Sequence, residues 1–232
     1  MKKVLIIGGN CDIGKALTNY FLAKDYNVVI GYHNDNNQYN KEVKYIKCDV
    51  TNVDSVENII KSTIDMYGNI DMIINLACIY MDNSFLNKTK EEFMKVLEVN
   101  LVGTFLCNQI YSRYIDNGMI VNIASTDGVD TYSQYSIDYS ASKAGIMNMS
   151  KSISLGTSNK VLCIAPNWID TSSTNSMNKE YLDSELERIG QSRLITLDEF
   201  VDSFDKIINS EFNSGDIFRV DVKEDRLWVE KM

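Results

Sequence analysis

Apolar residues in this chain fall into short continuous runs separated by longer stretches with a helical repeat. The runs are Lys3–Ile7, Asn27–Gly31, Lys44–Lys47, Asp71–Asn75, Met119–Ile123, Lys160–Ile164 and Asp216–Val220. Several are apolar on consecutive residues, the pattern of strands in a parallel sheet covered on both faces. Between them, Ile13–Lys24, Val53–Tyr67, Lys90–Tyr114, Asp138–Leu155 and Leu197–Ile208 repeat their apolar residues every three or four positions, as helices with one buried face do. Alternation of this kind predicts an α/β fold, a doubly wound parallel sheet with right-handed crossovers, in one domain over residues 1–232. No internal repeat, low-complexity segment or linker interrupts it. Thr171–Gly190, polar and rich in Ser, Thr and Asn, departs from the pattern, so 171–190 is the candidate mobile lid or substrate loop.

Composition narrows the class. At 232 residues the chain buries a full core, and a hydrophobic fraction of 44% is ordinary for a globular protein. No apolar run is long enough to span a membrane. The opening Met-Lys-Lys-Val-Leu-Ile-Ile is too short for a signal peptide and runs directly into glycines, so it reads as a first strand. A net charge of −9 leaves no basic stripe for nucleic acid. Cys11, Cys48, Cys78, Cys107 and Cys163 are scattered, with no Cys-x-x-Cys pair, which argues for reduced thiols and a cytoplasmic protein. With His33 the only histidine, a multi-histidine metal site is excluded and no metal is expected.

Two runs carry chemistry. The first, Gly8-Gly9-Asn10-Cys11-Asp12-Ile13-Gly14-Lys15, lies between the first strand and the first helix. There Gly9 would permit the tight turn, Gly14 close helix–strand packing, and the helix N-terminus would offer amides to a pyrophosphate. Asp12 stands where a bare backbone would approach phosphate more closely, or caps the helix and points away. The second run is Asp138-Tyr-Ser-Ala-Ser-Lys143. Four residues apart on a helix, Tyr139 and Lys143 share a face, and an ammonium beside a phenol lowers the phenol pKa from about 10. Such a pair moves protons to and from carbonyls and alcohols. Tyr20 and Lys24 have the same spacing and read as ordinary helix surface or core. Tyr139 differs in following a strand that ends in Ala124-Ser125-Thr126, a hydroxyl where a substrate oxygen would sit.

Together these residues resemble the short-chain dehydrogenase/reductases, from Lys3 to about Val222. Gly9 through Gly14 looks like the family's glycine-rich turn, with Asp12 in place of its middle glycine. Asp49-Val50 matches the pair that holds the adenine. Asn75-Leu-Ala77-Cys78 is similar to the family's Asn-Asn-Ala-Gly, and Asn100 matches its catalytic asparagine. Ser125, Tyr139 and Lys143 match the catalytic serine, tyrosine and lysine. Ala165-Pro166-Asn167-Trp168-Ile169-Asp170-Thr171 looks like the segment holding the nicotinamide carboxamide, with Asn167 in place of glycine. The resemblance implies a Rossmann-type fold and an NAD(P)-dependent enzyme that interconverts a ketone and a secondary alcohol. In it Ser125 binds the substrate oxygen, Tyr139 donates the proton, Lys143 tunes Tyr139 and holds the ribose, and Asn100 holds a relay water. Each residue also has an ordinary reading: Ser125 as a strand-end turn, Asn100 as a helix cap or kink, Lys143 as a solvated charge.

In the family an acid ending the second strand selects NAD. Tyr32 and His33 occupy that end here, which tilts the expectation to NADP(H) over NAD(H). The expected substrate is a small ketone or alcohol, a sugar or secondary-metabolite ketone, or an acyl-carrier-protein-bound 3-oxoacyl thioester, since the general likeness is greatest to 3-oxoacyl-(acyl-carrier-protein) reductases. The acidic chain offers only Arg113 and Lys160 as nearby basic docking residues, and Trp168 and Tyr135 as pocket aromatics. A non-catalytic nucleotide-binding regulator on the same scaffold is the alternative. Apolar residues on Lys90–Tyr114 (Phe93, Val96, Leu97, Leu101, Phe105, Ile110) and Asp138–Leu155 (Ile146, Met147, Met149, Ile153) exceed the need of one sheet face, and predict a homodimer or homotetramer.

Overall fold

The computed structural model describes residues 1–34 and 37–232, and all seven expected strands are present within it. They are β1 (Lys3–Ile7), β2 (Asn27–Tyr32), β3 (Lys44–Lys47), β4 (Met72–Asn75), β5 (Met119–Ile123), β6 (Lys160–Pro166) and β7 (Ile217–Lys223). The sheet order is β3-β2-β1-β4-β5-β6-β7, all parallel, so the chain reverses direction across the sheet between β1 and β4. A crevice opens outside the carboxyl ends of the strands at such a switch point. An eighth strand, β8 (Arg226–Lys231), pairs antiparallel with β7 and closes that edge of the sheet. The repeat of apolar residues does not announce it, because Glu224 and Asp225 form the turn in the left-handed region and β8 is mostly exposed.

Alternate residues of each strand feed the two faces. Val4 and Ile6 of β1 pack with Leu17 and Phe21 of helix α1 (Asp12–Ala23) and with Phe200 and Phe204 further along the chain. Leu5 and Ile7 face Val56, Ile59 and Ile60 of α2 (Val53–Tyr67) on the other side. Lys90–Tyr114 is not one helix. It is α3 (Lys90–Leu97) and α4 (Gly103–Tyr114) joined by a π-helical turn, Glu98–Val102, that contains Asn100. Such turns occur mostly where a helix must re-aim a residue. Helix α5 (Ile137–Ile153) carries Tyr139 and Lys143 and lies on the same sheet face as α4.

Thr171–Gly190, expected as a loop, is instead largely helical: α6 (Ser172–Asn175) and α7 (Lys179–Ile189). Thr171 and Thr174 form a capping box on α6, while Asn178 caps α7 and Gly190 ends it at φ 71°. These caps satisfy the terminal amides and carbonyls of helices too polar to be recognised by hydrophobic repeat. Helix α8 (Leu197–Ile208) supplies Phe200 and Phe204 to the core beside α1. Among the described residues no helix is long and apolar enough to cross a membrane.

Candidate active site

The glycine turn is closely packed, against backbone at Gly8 and Gly14 and against side chains at Gly9. Gly8, at φ 78°, takes the left-handed conformation in the turn that Gly9 was expected to permit, and a Cβ there would lie 2.6 Å from the Ala77 amide nitrogen. Gly9 is needed for space instead: its α-carbon faces Ile30 and Ile6, and Gly14 rests on its carbonyl. Both Gly8 and Gly9 amides donate to the Gly31 carbonyl, tying the turn to β2. Cys11, not Asp12, caps α1, its Sγ accepting from the Gly14 amide at 3.4 Å. Asp12 turns away to accept from the Ser172 amide at 2.7 Å and so fastens α6 beside the turn. That bond, more than Lys15 at 3.8 Å, holds the Asp12 carboxyl below its ordinary pKa. A bare backbone cradle at the positive end of α1, with its one acid drawn aside, fits a pyrophosphate.

Around that cradle the remaining expected cofactor residues divide into those that face the cleft and those that build it. Tyr32 ends β2 partly buried, and exposed His33 places Nε2 3.6 Å from Asp49 Oδ2. Asp49 accepts from the Thr51 amide and hydroxyl, which lower its pKa. Ile13 is partly buried against the core on the α1 side. Val50 is buried against the α4 start, where Gly103 leaves no room for a Cβ beside it. Asn75 does not face the cleft: its Nδ2 donates to Asn108 and to its β5 register partner Asn122, within the buried sheet. Pro166 and Ile169 are buried, Ile169 bridging to Ile195, and Thr171 is spent on capping α6. Asn167, standing where glycine was expected, is 3% exposed. It donates to Asp221 and accepts from Thr126 and the Trp168 amide.

Ser125, Tyr139 and Lys143 converge beyond the end of β5. Ser125 caps the short 3-10 turn Thr126–Gly128, accepts from the Asp127 amide at 3.2 Å and hydrogen-bonds Tyr139. Lys143 is buried, donates to the Ile123 carbonyl at 2.9 Å, and lies 5.3 Å from the Tyr139 ring centre. The expected depression of the Tyr139 pKa is not what this arrangement produces. Burial raises it well above the ordinary phenol value, the nearby Cys78 and Asp127 add to the rise, and only the Ser125 hydroxyl opposes them. Asn100 is held through its side chain. Its Oδ1 accepts from the Ile79 amide at 2.8 Å, and its Nδ2 donates to the Ile79 carbonyl and to Ser142. The side chain therefore clamps the strand β4 exit to α5, with its amide fully engaged.

Three elements of the site went unread in the sequence. Lys88 and Asp138 form a fully buried ion pair at 2.9 Å, one residue before Tyr139. Asp127, two residues past Ser125, is a buried carboxyl, and Gly8 is the turn glycine. An acid within two residues of Ser125 and of Tyr139 was the available signal for the first two.

A glycine turn between β1 and α1 thus stands in one chain with Ser125, Tyr139 and Lys143 gathered past β5. The short chain dehydrogenase family profile matches residues 2–182. The chain belongs to the short-chain dehydrogenase/reductases and is an NAD(P)-dependent oxidoreductase. A 3-oxoacyl-(acyl-carrier-protein) reductase of Synechocystis is 30% identical over 192 residues, 76% of this chain and 77% of its own. Among solved structures, a short-chain dehydrogenase/reductase from Serratia marcescens superposes with a TM-score of 0.85 at 19% identity, covering 97% of this chain and 98% of its own. A structure described as ElxO with NADP bound gives 0.78 at 24% identity, covering 94% and 96%.

Proposed function

We propose that this enzyme interconverts a ketone and a secondary alcohol, with NADP(H) preferred over NAD(H). The observation that carries the reading is the hydrogen-bonded Ser125–Tyr139 pair with Lys143 buried beside it. When bound, the nicotinamide supplies a hydride to the carbonyl carbon. Ser125 holds the carbonyl oxygen, and Tyr139 delivers its phenolic proton to that oxygen as charge develops. Lys143 takes the ribose and returns a proton toward Tyr139. The turn Gly8–Gly14 receives the pyrophosphate, Asp49 and Val50 flank the adenine, and the segment Pro166–Thr171 borders the nicotinamide. With Tyr32 and His33 in place of an acid at the end of β2, a 2′-phosphate meets no carboxylate on that strand. His33→Ala is expected to weaken NADPH more than NADH.

A 3-oxoacyl thioester is the second reading, favoured by the name of the Synechocystis relative. A protein carrier of acidic charge would need basic residues at the cleft mouth. Lys160 starts β6, at the amino edge of the sheet, and its ammonium stacks on Phe212; Arg113 lies in the last turn of α4 and binds Gln109. Neither borders the cleft, so a small ketone is the reading preferred here. The five free cysteines favour a reducing compartment, the cytoplasm, and α4 and α5 are the faces for a homodimer or homotetramer. Consumption of NADH and NADPH across a panel of ketones tests the reaction; no turnover of any ketone with either would reject it.

A further inference from the structure

The turn after Ser125 carries a carboxyl that the reaction above leaves unused. Asp127 is 7% exposed, with Oδ1 accepting from the Thr131 hydroxyl at 2.9 Å and the Trp168 side chain donating to the same carboxyl. Its position is held from two sides. Gly128 sits directly on the Lys143–Ala144 backbone, where no Cβ would fit, so the turn is locked to the helix that presents Tyr139. Behind it runs a hydrogen-bonded chain of buried side chains. Thr131 shares its one hydroxyl proton between Asp127 and Thr126 Oγ1, 3.0 Å away; Thr126 donates to Asn167 at 3.0 Å, and Asn167 to Asp221 at 2.9 Å. Arg219 grips Asp221 at 2.7 Å and Asp130 at 2.6 Å.

Among the described residues no cationic group forms an ion pair with Asp127. The two positive groups that face it are committed elsewhere, Arg188 of α7 to Glu185 and Lys143 to the Ile123 carbonyl. Burial accordingly raises its pKa, against the hydrogen bonds from Thr131 and Trp168. A buried carboxyl with only neutral donors is costly unless a ligand completes its shell. Here it stands close enough to Tyr139 to raise that residue's proton affinity.

We propose that Asp127 is a specificity-determining residue: a fixed acceptor beside Tyr139 that selects ketones bearing a hydrogen-bond donor, hydroxyl or ammonium, on the carbon next to the carbonyl. The assignment rests on the ketone/alcohol reading and narrows its substrate class to polar ketones, away from apolar acyl chains.

The test compares hydroxyacetone, aminoacetone and 2-butanone, alike in heavy-atom count, with the wild-type enzyme, Asp127→Asn and Asp127→Ala. Binding to the NADPH-loaded protein is followed by ligand NMR and turnover by NADPH consumption. The wild type should prefer at least one donor-bearing ketone by roughly 10- to 100-fold, the range set by a hydrogen bond to a charged group. Asp127→Ala should erase the preference. Asp127→Asn should keep it for a hydroxyl, which an amide oxygen still accepts, and lose it for an ammonium, which separates the two donors. Removing the carboxylate should also lower the pH at which Tyr139 ionises, a shift that loss of packing alone would not produce. Thermal unfolding shows that the variants are folded, and Asp127→Asn, nearly isosteric, carries the test if Asp127→Ala does not fold. Equal binding of all three ketones by the wild type, or an unchanged preference in a folded variant, would overturn the proposal. Selective binding without NADPH consumption would sink the ketone/alcohol reading and leave the Asp127 assignment standing.

Discussion

Tyr139 is surrounded by groups that keep its proton on. Burial, Cys78 and Asp127 all oppose ionisation, and the Ser125 hydroxyl is the one group on the other side. A phenol so held stays protonated throughout the neutral range, the state from which it can give its proton to a carbonyl oxygen. Tyr139→Phe keeps the ring and removes the acid, so turnover should fall by roughly 10²- to 10⁴-fold with little change in melting temperature. A variant that retains near-normal turnover on a verified ketone would take Tyr139 out of the mechanism. Tyr20→Phe is the control for activity but not for stability. The Tyr20 hydroxyl binds Asp205 and its ring lies 4.8 Å below Lys24, so its loss should loosen α1 from α8 by about 1 kcal/mol while leaving turnover intact. The position of Ser125, Tyr139 and Lys143 was legible because a helical repeat and a strand end fix where those side chains point. What surrounds them was not. Asn75 and Asn100 look like ligand-binding residues in the sequence, yet both spend their amides on partners 21 to 47 residues away, Ile79, Asn122 and Asn108 among them. Only folded contacts reveal such a commitment.

Helix α5, which presents Tyr139, is anchored by an ion pair that no periodicity could expose. Lys88 lies in the connection after β4, its side chain is 2% exposed, and it also donates to the Met81 carbonyl; Asp138, fully buried, accepts from both Lys88 and the Tyr139 amide. Removing one partner leaves the other charge buried and unpaired, a loss of about 3–5 kcal/mol. Lys88→Met should therefore lower the melting temperature sharply. Because Asp138 directly precedes Tyr139, it should also reduce kcat more than the global destabilisation explains, when measured well below the melting transition. A Lys88→Met protein with wild-type stability would show that the pair contributes nothing net. Elements with a strong apolar repeat, such as α8 with Phe200, Phe204 and Ile207, were readable at their full length. Helix α7 was not, since Glu180, Asp183, Glu185, Glu187 and Arg188 dilute its one apolar face. Its signals were Asn178 before and Gly190 after, a cap and a stop that the polar composition obscured.

Across the whole molecule, buried tyrosines set an alkaline limit. Burial raises the pKa of Tyr39, Tyr111 and Tyr139, and pushes Tyr20 up to about 12. For each the folded value exceeds the unfolded value near 10, so the folded state holds protons that the unfolded chain releases. The stability this represents is complete below about pH 10 and is lost as pH rises through the folded values. Melting temperature should be insensitive to these groups at neutral pH and fall steeply above about pH 10, with tyrosinate absorbance appearing together with unfolding. Tyrosinate appearing well before unfolding would contradict the burial argument.

Assembly is decided by what the core leaves uncovered. Of the apolar residues that suggested an interface, Val96, Ile110, Ile146 and Met147 are buried within the chain and cannot form one. Phe105, 39% exposed, does remain at the surface, and it continues a stripe with Met94 and Val102 that runs along α3, the π turn and α4. On neighbouring α5 the exposed positions include Ala141, Ala144 and Asn148, small enough to let a second copy approach closely. An apolar stripe beside a flat, small-residue face suits a two-fold contact, in which each copy's stripe covers the other's. Light scattering at micromolar concentration should return twice or four times the chain mass. Phe105→Glu would bury a charge without a partner at the centre of that contact, so it should shift the mass toward monomer while leaving the far-ultraviolet dichroism unchanged. A wild-type monomer, or a Phe105→Glu oligomer as tight as the wild type, would move the contact elsewhere.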